Sequence, residues 1–211
     1  MITPLDDAGL IAASRALAAT DPILGDLWER NGPPPLWARE PGFATLIHLI
    51  LEQQVSLASA AAAYERLVAL VGVVKPTTVL GCDDDELRRA GFSRQKAAYA
   101  RGLAERVSDG RLDLDAVDGM DDEAVAAALL PVLGIGPWTV DCYLIQALLR
   151  PDRWPHGDRA LQVALGRVLD MAEVPDTATA ARHAERWRPY RSVAARMLWH
   201  EYLGGPTNEP R

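Results

Sequence analysis

Asp158, in the last third of the chain, is a residue whose possible chemistry can be stated before any fold is known. Asp158 follows the bend Pro155-His156-Gly157 and precedes a helical segment. A carboxylate in such a place can stabilise positive charge that develops on a substrate, and it can orient or deprotonate a water molecule. Aspartate is also a favoured residue for capping a helix N-terminus. The sequence alone leaves both roles open.

The second chemical feature is the turn Gly134-Ile135-Gly136, which Pro137 follows. Two glycines around one apolar residue permit a tight hairpin, and proline is well tolerated at the first position of a helix. The backbone amides of the turn and of the new helix N-terminus then form a cluster that can bind a phosphate oxygen without a positive side chain. The alternative is an ordinary glycine-rich turn between two helices.

The elements that must position these residues are predicted to be helices. The chain has 211 residues, of which 49% are hydrophobic and 24% charged, a composition typical of a folded protein with a sizeable core. Helical periodicity dominates and strand alternation is scarce, which predicts about ten helices. They are expected at residues 5–19, 22–31, 43–51, 56–70, 83–91, 93–107, 121–132, 137–149, 158–170, 177–187 and 190–203.

Charge and cysteine content exclude several classes of protein. The formal net charge of −7 excludes a diffuse binder of polyanions, although a local basic face rich in arginine is compatible with it. Two cysteines exclude a disulfide scaffold and a four-cysteine zinc or iron–sulfur site. The chain shows no secretory signal and no apolar run of about 18 residues, so we expect a cytoplasmic protein without a membrane partner. The acidic run from Asp83 to Glu86 is predicted to be a helix N-terminus and not a metal site.

Five short motifs follow one another in an order that carries a resemblance to a known family. The first motif is Asp21-Pro22-Ile23-Leu24 with Gly32-Pro33, the second runs from Ile50 to Ser56, and the third from Gly91 to Lys96. The fourth combines Leu133 to Thr139 with the following loop from Trp154 to Asp158. The fifth combines Trp187 to Ser192 with Trp199. This pattern resembles the helix-hairpin-helix DNA glycosylases with a catalytic aspartate, and most closely the alkylpurine branch, the 3-methyladenine DNA glycosylase II type. The likeness covers about residues 20–203.

The resemblance implies an all-α, two-lobed helix-hairpin-helix glycosylase fold with a DNA-binding cleft. Residues 1–211 would form a single catalytic unit. One lobe, a helical barrel at residues 43–155, would contain the hairpin 133–139, and the other would be discontinuous, formed by residues 1–42 and 158–211. The resemblance places Asp158 where the lobes meet. We expect neither the iron–sulfur cluster nor the N-terminal β domain of some relatives.

The resemblance also implies the reaction. Asp158 would be the catalytic residue for hydrolysis of the bond between an alkylated base and its deoxyribose. The lysine of bifunctional relatives is replaced by Trp138, which implies a monofunctional enzyme with water as nucleophile and an abasic site as product. The expected partner is double-stranded DNA containing damaged bases, and the expected protein is a monomer that acts at the bacterial nucleoid without a cofactor.

The remaining site residues are carried over by the same resemblance. The base pocket is expected to involve Trp138, Trp199, Asp141, Cys142 and Tyr143. The family pattern has an aromatic residue at the position of Cys142, so the range of accepted bases is open. The plug that fills the gap left by a flipped base is expected at Gln53 or Gln54, and Gln54 is the preferred candidate. Contacts with DNA phosphates are expected at Gly134, Gly136, Thr139, Ser56, Ser93 and Lys96. The backbone carbonyls of Leu133 and Ile135 could hold a structural Na⁺ or K⁺ when DNA is bound.

Two other functions remain open on the sequence. A protein of the same fold could act on deaminated, etheno or methylated-pyrimidine bases, and a helical protein could bind DNA without catalysis. Three tryptophans are predicted to lie in the hydrophobic core and not in a pocket, namely Trp28, Trp37 and Trp187.

Overall fold

A computed structural model of the chain describes residues 3–205, and all the regular secondary structure in that range is helical. The α-helices are α1 (Asp7–Thr20), α2 (Pro22–Asn31), α3 (Phe43–Glu52), α4 (Leu57–Val71), α5 (Pro76–Gly81), α6 (Asp84–Arg89), α7 (Arg94–Ser108), α8 (Leu114–Val117), α9 (Asp122–Leu129), α10 (Pro137–Gln146), α11 (Arg159–Val168), α12 (Thr177–Ala184) and α13 (Arg191–Tyr202). A 3₁₀ helix, Glu185–Trp187, follows α12. The predicted all-α fold class is confirmed.

Helix starts lie where capping residues predicted them. Asp83 caps α6, and its carboxylate accepts a hydrogen bond from the Glu86 amide while the Glu86 side chain accepts one from the Asp83 amide. This reciprocal pair satisfies two amide groups that a helix N-terminus otherwise leaves without partners. Ser93 caps α7 in the same position, and Asp21 caps α2 ahead of Pro22. The acidic run at residues 83–86 is therefore a helix N-terminus, as predicted.

The structure has more and shorter helices than the sequence predicts. Helices α5 and α8 have six and four residues, too few to show a 3.6-residue period. Helix α9 ends at Leu129, two residues before Pro131, which has no backbone N–H with which to continue the helical hydrogen bonds. Helix α10 ends at Gln146 and not at Leu149, whose φ of 52° belongs to the left-handed region.

The chain divides into two compact units. Unit 1 comprises Met1–Ala38 and Leu144–Arg211, and unit 2 comprises Arg39–Tyr143. These bounds differ from the expected 43–155 because the chain from Leu144 onward is tied into unit 1. The Ile145 carbonyl accepts a hydrogen bond from the Arg196 guanidinium at 2.6 Å, and the Leu149 carbonyl accepts one from the Leu5 amide at 2.8 Å.

Unit 1 is built around α13, which packs against α1, α2 and α11. Leucines and alanines of these helices form its core together with Trp187, whose indole N–H donates to the Asp21 carboxylate at 2.8 Å. Arg196 is fully buried on α13, and its guanidinium donates to the carbonyls of Leu36, Ile145 and Ser192. A buried charge needs such partners, so Arg196 holds these segments in place around α13.

Unit 2 is organised by α3 and α7. Helix α3 packs against α4 and α7, and α5 and α6 also pack against α7. Most of α3 is buried, in keeping with its nearly uninterrupted apolar sequence. Although α3 is apolar, none of the helices formed by residues 3–205 combines the length and hydropathy that a membrane crossing requires.

Candidate functional site

Hydrogen bonds from the Leu161 amide and the Trp199 indole hold the Asp158 carboxylate in place. Asp158 is the N-cap of α11, and its Oδ1 accepts from the Leu161 amide at 2.9 Å. The same oxygen accepts from the indole N–H of Trp199, on α13, at 3.2 Å. The helix N-terminus favours a negative charge at this point. The capping role that the sequence left open is therefore real, and it fixes a half-buried carboxylate beside an aromatic ring.

A second tryptophan, Trp37, packs against Trp199 in unit 1. The ring of Trp37 meets Trp199 edge-on, with centroids 6.5 Å apart and planes 67° apart. Trp37 has a φ of 47°, in the left-handed region that bulky residues rarely adopt. The prediction of a core position is wrong for Trp37, which is half-buried, because it lies in the irregular segment between α2 and α3 and not on a helix face. Trp28 is also half-buried, whereas Trp187 is in the core as predicted.

The first glycine of the hairpin in unit 2, Gly134, is required for steric reasons. Gly134 has a φ of 88°, and a Cβ added there would lie 2.2 Å from Cγ of Tyr99. Only glycine fits this close approach. An added Cβ on Gly136 would meet no atom within 4 Å, and α10 begins at the next residue, Pro137. Leu133 is 67% exposed, whereas Ile135 is buried and its amide donates to the Val132 carbonyl.

The two glutamines proposed for the plug have different environments. The Gln53 side-chain amide donates to the Gly134 carbonyl at 2.8 Å and to Oγ1 of Thr139 at 3.1 Å. Thr139 itself is buried. Gln54 is exposed, and its backbone has a left-handed φ of 58°. The hydrogen bonds of Gln53 thus stay within unit 2, while the exposed Gln54 side chain is available to an external partner.

The side chains expected to contact DNA phosphates are engaged locally as well. Ser56 and Ser93 are exposed and cap α4 and α7, where their hydroxyl oxygens accept backbone amides. The Lys96 ammonium donates to the Leu51 carbonyl at 2.7 Å. Burial lowers the pKa of Lys96. An ammonium has three N–H donors, so this contact leaves a phosphate interaction of Lys96 chemically open, and the phosphate roles stay predictions.

The predicted pocket residues on α10 differ in exposure. Trp138 is half-buried, whereas Asp141, Cys142 and Tyr143 are buried. The Tyr143 hydroxyl accepts a hydrogen bond from the Gly42 amide at 2.8 Å, and burial raises the pKa of Tyr143 to about 12. Tyr143 is therefore part of the packed interior of unit 2. The contribution of these four residues to a base pocket stays a prediction.

Comparison with known proteins identifies the family. The model of the HhH-GPD superfamily base excision DNA repair proteins matches residues 47–189. The chain belongs to this superfamily. The matched range contains the hairpin, both glutamines and Asp158, and Trp199 lies just beyond its end.

Three HhH-GPD relatives are similar to much of the chain. A putative DNA-3-methyladenine glycosylase of Bacillus subtilis, YfjP, is 30% identical over 184 residues, which make up 83% of this chain and 64% of that protein. The chain thus spans a little under two thirds of the YfjP length. A crystal structure of a DNA-3-methyladenine glycosidase from Bacillus halodurans is 31% identical with a TM-score of 0.73, and the match covers 97% of this chain and 92% of that one. A Schizosaccharomyces pombe 3-methyladenine DNA glycosylase in complex with abasic DNA shares the fold, with a TM-score of 0.83, 24% identity and coverage of 90% and 95%.

Proposed function

We propose that this HhH-GPD protein is a monofunctional DNA glycosylase that removes alkylated purines of the 3-methyladenine type in base excision repair. The names of the relatives from B. subtilis and B. halodurans support this substrate class. The observation that carries the proposal is the Asp158 carboxylate, fixed by the Leu161 amide and the Trp199 indole at the N-terminus of α11. Two donors keep the charged group in one position, as an electrostatic catalyst requires.

The chemistry of this carboxylate follows from the charge of the substrate. An alkylated purine such as 3-methyladenine carries a positive charge, so it leaves with the electron pair of the N-glycosidic bond without prior protonation. Positive charge then develops at C1′ of the deoxyribose, where a fixed carboxylate stabilises it. Water attacks C1′ and gives up a proton to Asp158 or to solvent. The products are the free base and an abasic site.

Water is proposed as the nucleophile because the chain offers no suitable amine. Lys75 and Lys96 are the only lysines of the sequence. Lys75 precedes α5, and the Lys96 ammonium binds the Leu51 carbonyl. The position that a lysine holds in bifunctional relatives is occupied by Trp138. The enzyme should therefore release a base without cleaving the DNA strand.

The proposed partner is double-stranded DNA containing a damaged base, bound by a monomer. Backbone amides around Gly136 would bind phosphate, which suits a protein with a net charge of −7. The aromatic faces of Trp138 and Trp199 would stack on a cationic base, and the exposed Gln54 would fill the gap that a flipped nucleotide leaves. Hairpin carbonyls are the oxygen ligands that Na⁺ or K⁺ prefers. The Gly134 carbonyl is already bound by Gln53, so the carbonyls of Leu133 and Ile135 are the proposed ligands.

The proposal is tested with Asp158→Asn, a variant that removes the charge and keeps the shape. Asparagine caps helices as well as aspartate does, and its Oδ1 can accept the same two hydrogen bonds. Base release from methylated duplex DNA should fall by on the order of 100-fold or more, while DNA affinity stays unchanged and the free energy of unfolding falls by no more than about 1 kcal/mol. Asp176→Asn is the matched control because Asp176 is an exposed N-cap on α12 of the same unit.

The possible outcomes separate the open alternatives. Full activity of Asp158→Asn would overturn the catalytic assignment. If the wild-type protein releases hypoxanthine or an etheno base but no methylated purine, the substrate class is wrong and the reaction class is retained. If the wild-type protein binds DNA and releases no base, the protein is a non-catalytic binder.

A further inference from the structure

Gln53 contacts both sides of the glycine-rich turn with one side-chain amide. Its Nε2 lies 2.8 Å from the carbonyl oxygen of Gly134 and 3.1 Å from Oγ1 of Thr139. Gly134 opens the turn, and Thr139 is the third residue of α10 beyond it. A side-chain amide has two N–H donors, so the two acceptors match the donors of one group. The Gly134-to-Thr139 segment is therefore clamped across its ends.

The C-terminal end of α3, which carries Gln53, is held in place by contacts of its own. Gln53 directly follows the last residue of α3. One residue earlier, the Glu52 carboxylate accepts from the Arg39 guanidinium at 2.6 Å, and both side chains are largely buried. Before that, the Leu51 carbonyl accepts from the Lys96 ammonium at 2.7 Å. Each of these contacts reduces the freedom of the helix end, so Gln53 extends from a fixed platform.

The next residue, Gln54, makes no hydrogen bonds comparable to those of Gln53 within the described part of the chain. Gln54 is exposed and has a left-handed φ of 58°, and its side chain makes no hydrogen bond with any other residue of the range 3–205. For Gln53 to leave the hairpin and enter DNA, two hydrogen bonds to a buried partner and a backbone carbonyl would have to break. Breaking them leaves buried polar groups without partners, which is unfavourable. The two adjacent glutamines are therefore suited to different tasks.

We infer that Gln53 is a positioning residue that fastens the turn carrying Gln54 to the phosphate-binding hairpin, so that both contact DNA as one rigid piece. The inference rests on the proposed function, because it gives the hairpin and Gln54 their roles toward DNA. Its consequence is that the two glutamines have different tasks. Gln54 fills the gap in the duplex, and Gln53 keeps the hairpin amides in a geometry that fits a phosphate.

The test compares Gln53→Met with Gln54→Met. Methionine has nearly the length of glutamine and lacks its N–H donors. Loss of two neutral hydrogen bonds should weaken affinity for undamaged duplex DNA by about tenfold in Gln53→Met. Base release at saturating enzyme should fall less than the affinity does. Gln54→Met should show the opposite pattern, with undamaged-DNA affinity retained and base release at saturating enzyme reduced.

Thr139 supplies the second half of the test. Thr139→Val removes the acceptor without changing the shape of the side chain, and it should weaken affinity about threefold, whereas Thr139→Ser keeps the hydroxyl and should restore wild-type affinity. Because Gln53 and Thr139 share one contact, Gln53→Met combined with Thr139→Val should weaken affinity about tenfold and not about thirtyfold. Additive losses would overturn the inference.

A direct measurement of hairpin order keeps this test separate from the glycosylase assay. Amide hydrogen exchange at residues 133–140 should accelerate about tenfold in Gln53→Met, while exchange in α11 stays as in the wild-type protein and the melting temperature falls by only about 2–4 °C. Unchanged exchange in the hairpin would overturn the inference whatever the enzyme does. Accelerated exchange in a protein that releases no base would support the clamp and reject the proposed function.

Discussion

Replacement of Gly134 by alanine tests whether the hairpin is built around a close approach that only glycine permits. With a φ of 88°, an L-residue at this position is strained by about 1–2 kcal/mol. The added Cβ would also lie 2.2 Å from Cγ and 2.7 Å from Cβ of Tyr99. These atoms are at the root of the tyrosine side chain, so no rotation of the ring tip can relieve the overlap. Overpacking of this kind costs about 1–3 kcal/mol, which gives an expected total of about 2–5 kcal/mol.

The assay is urea unfolding of Gly134→Ala beside Gly136→Ala, with the m-value required to stay constant. Gly136 has room for a methyl group, so its variant should lose no more than about 1 kcal/mol of stability. The methyl group would nevertheless stand on backbone proposed to bind phosphate, so Gly136→Ala should weaken DNA binding. Combining Gly134→Ala with Tyr99→Ala removes the overlap with the ring but keeps the one with Cβ, so it should recover only part of the loss, about 1 kcal/mol. A loss below about 1 kcal/mol in Gly134→Ala would refute the steric argument.

Three further predictions follow from single contacts. Trp37→Ala removes the edge contact to Trp199 and should slow base release by about tenfold, whereas Trp37→Phe should restore most of the rate; equal activity of both variants would contradict the contact. Arg196→Met leaves three backbone carbonyls without their buried donor and should lower the free energy of unfolding by about 3–5 kcal/mol, which urea unfolding measures; a loss below about 1 kcal/mol would contradict this. Burial, and to a smaller extent the charge of Arg39, lowers the pKa of His48 in the folded protein below its ordinary value of 6.5. The unfolded state therefore binds a proton more readily than the folded state. The free energy of unfolding should fall as the pH drops from 6.5 through the lower pKa of the folded protein. His48→Gln should flatten that dependence of unfolding on pH, and an unchanged slope would show that other groups cause it.

Local signals predicted the helical framework because they act within a few residues. Asp83, Ser93 and Pro137 each mark a helix start through contacts or backbone angles that the adjoining residues define. The capping role of Asp158 follows from the same rule. Family resemblance, and not local pattern, gave this aspartate its proposed chemistry, since an N-cap and a catalytic carboxylate look alike in one sequence.

Contacts between distant segments could not be predicted. Gln53 and Thr139 are 86 residues apart, and no local pattern indicates that their side chains meet. The position of Trp37 beside Trp199 depends on a left-handed backbone angle in an irregular segment, a conformation that sequence rules disfavour for tryptophan. Tyr99 likewise gave no sign that it packs over Gly134. In each case tertiary packing decides the placement, and helical periodicity carries no information about it.

The central claim is that the carboxylate of Asp158 drives hydrolysis of the bond to an alkylated base. The most direct measurement is the release of free bases from methylated duplex DNA, identified by mass spectrometry, for the wild-type protein and Asp158→Asn at equal DNA occupancy. The account predicts 3-methyladenine from the wild-type protein, with intact DNA strands, and a rate reduced by on the order of 100-fold or more in the variant. Equal release by both proteins would contradict it.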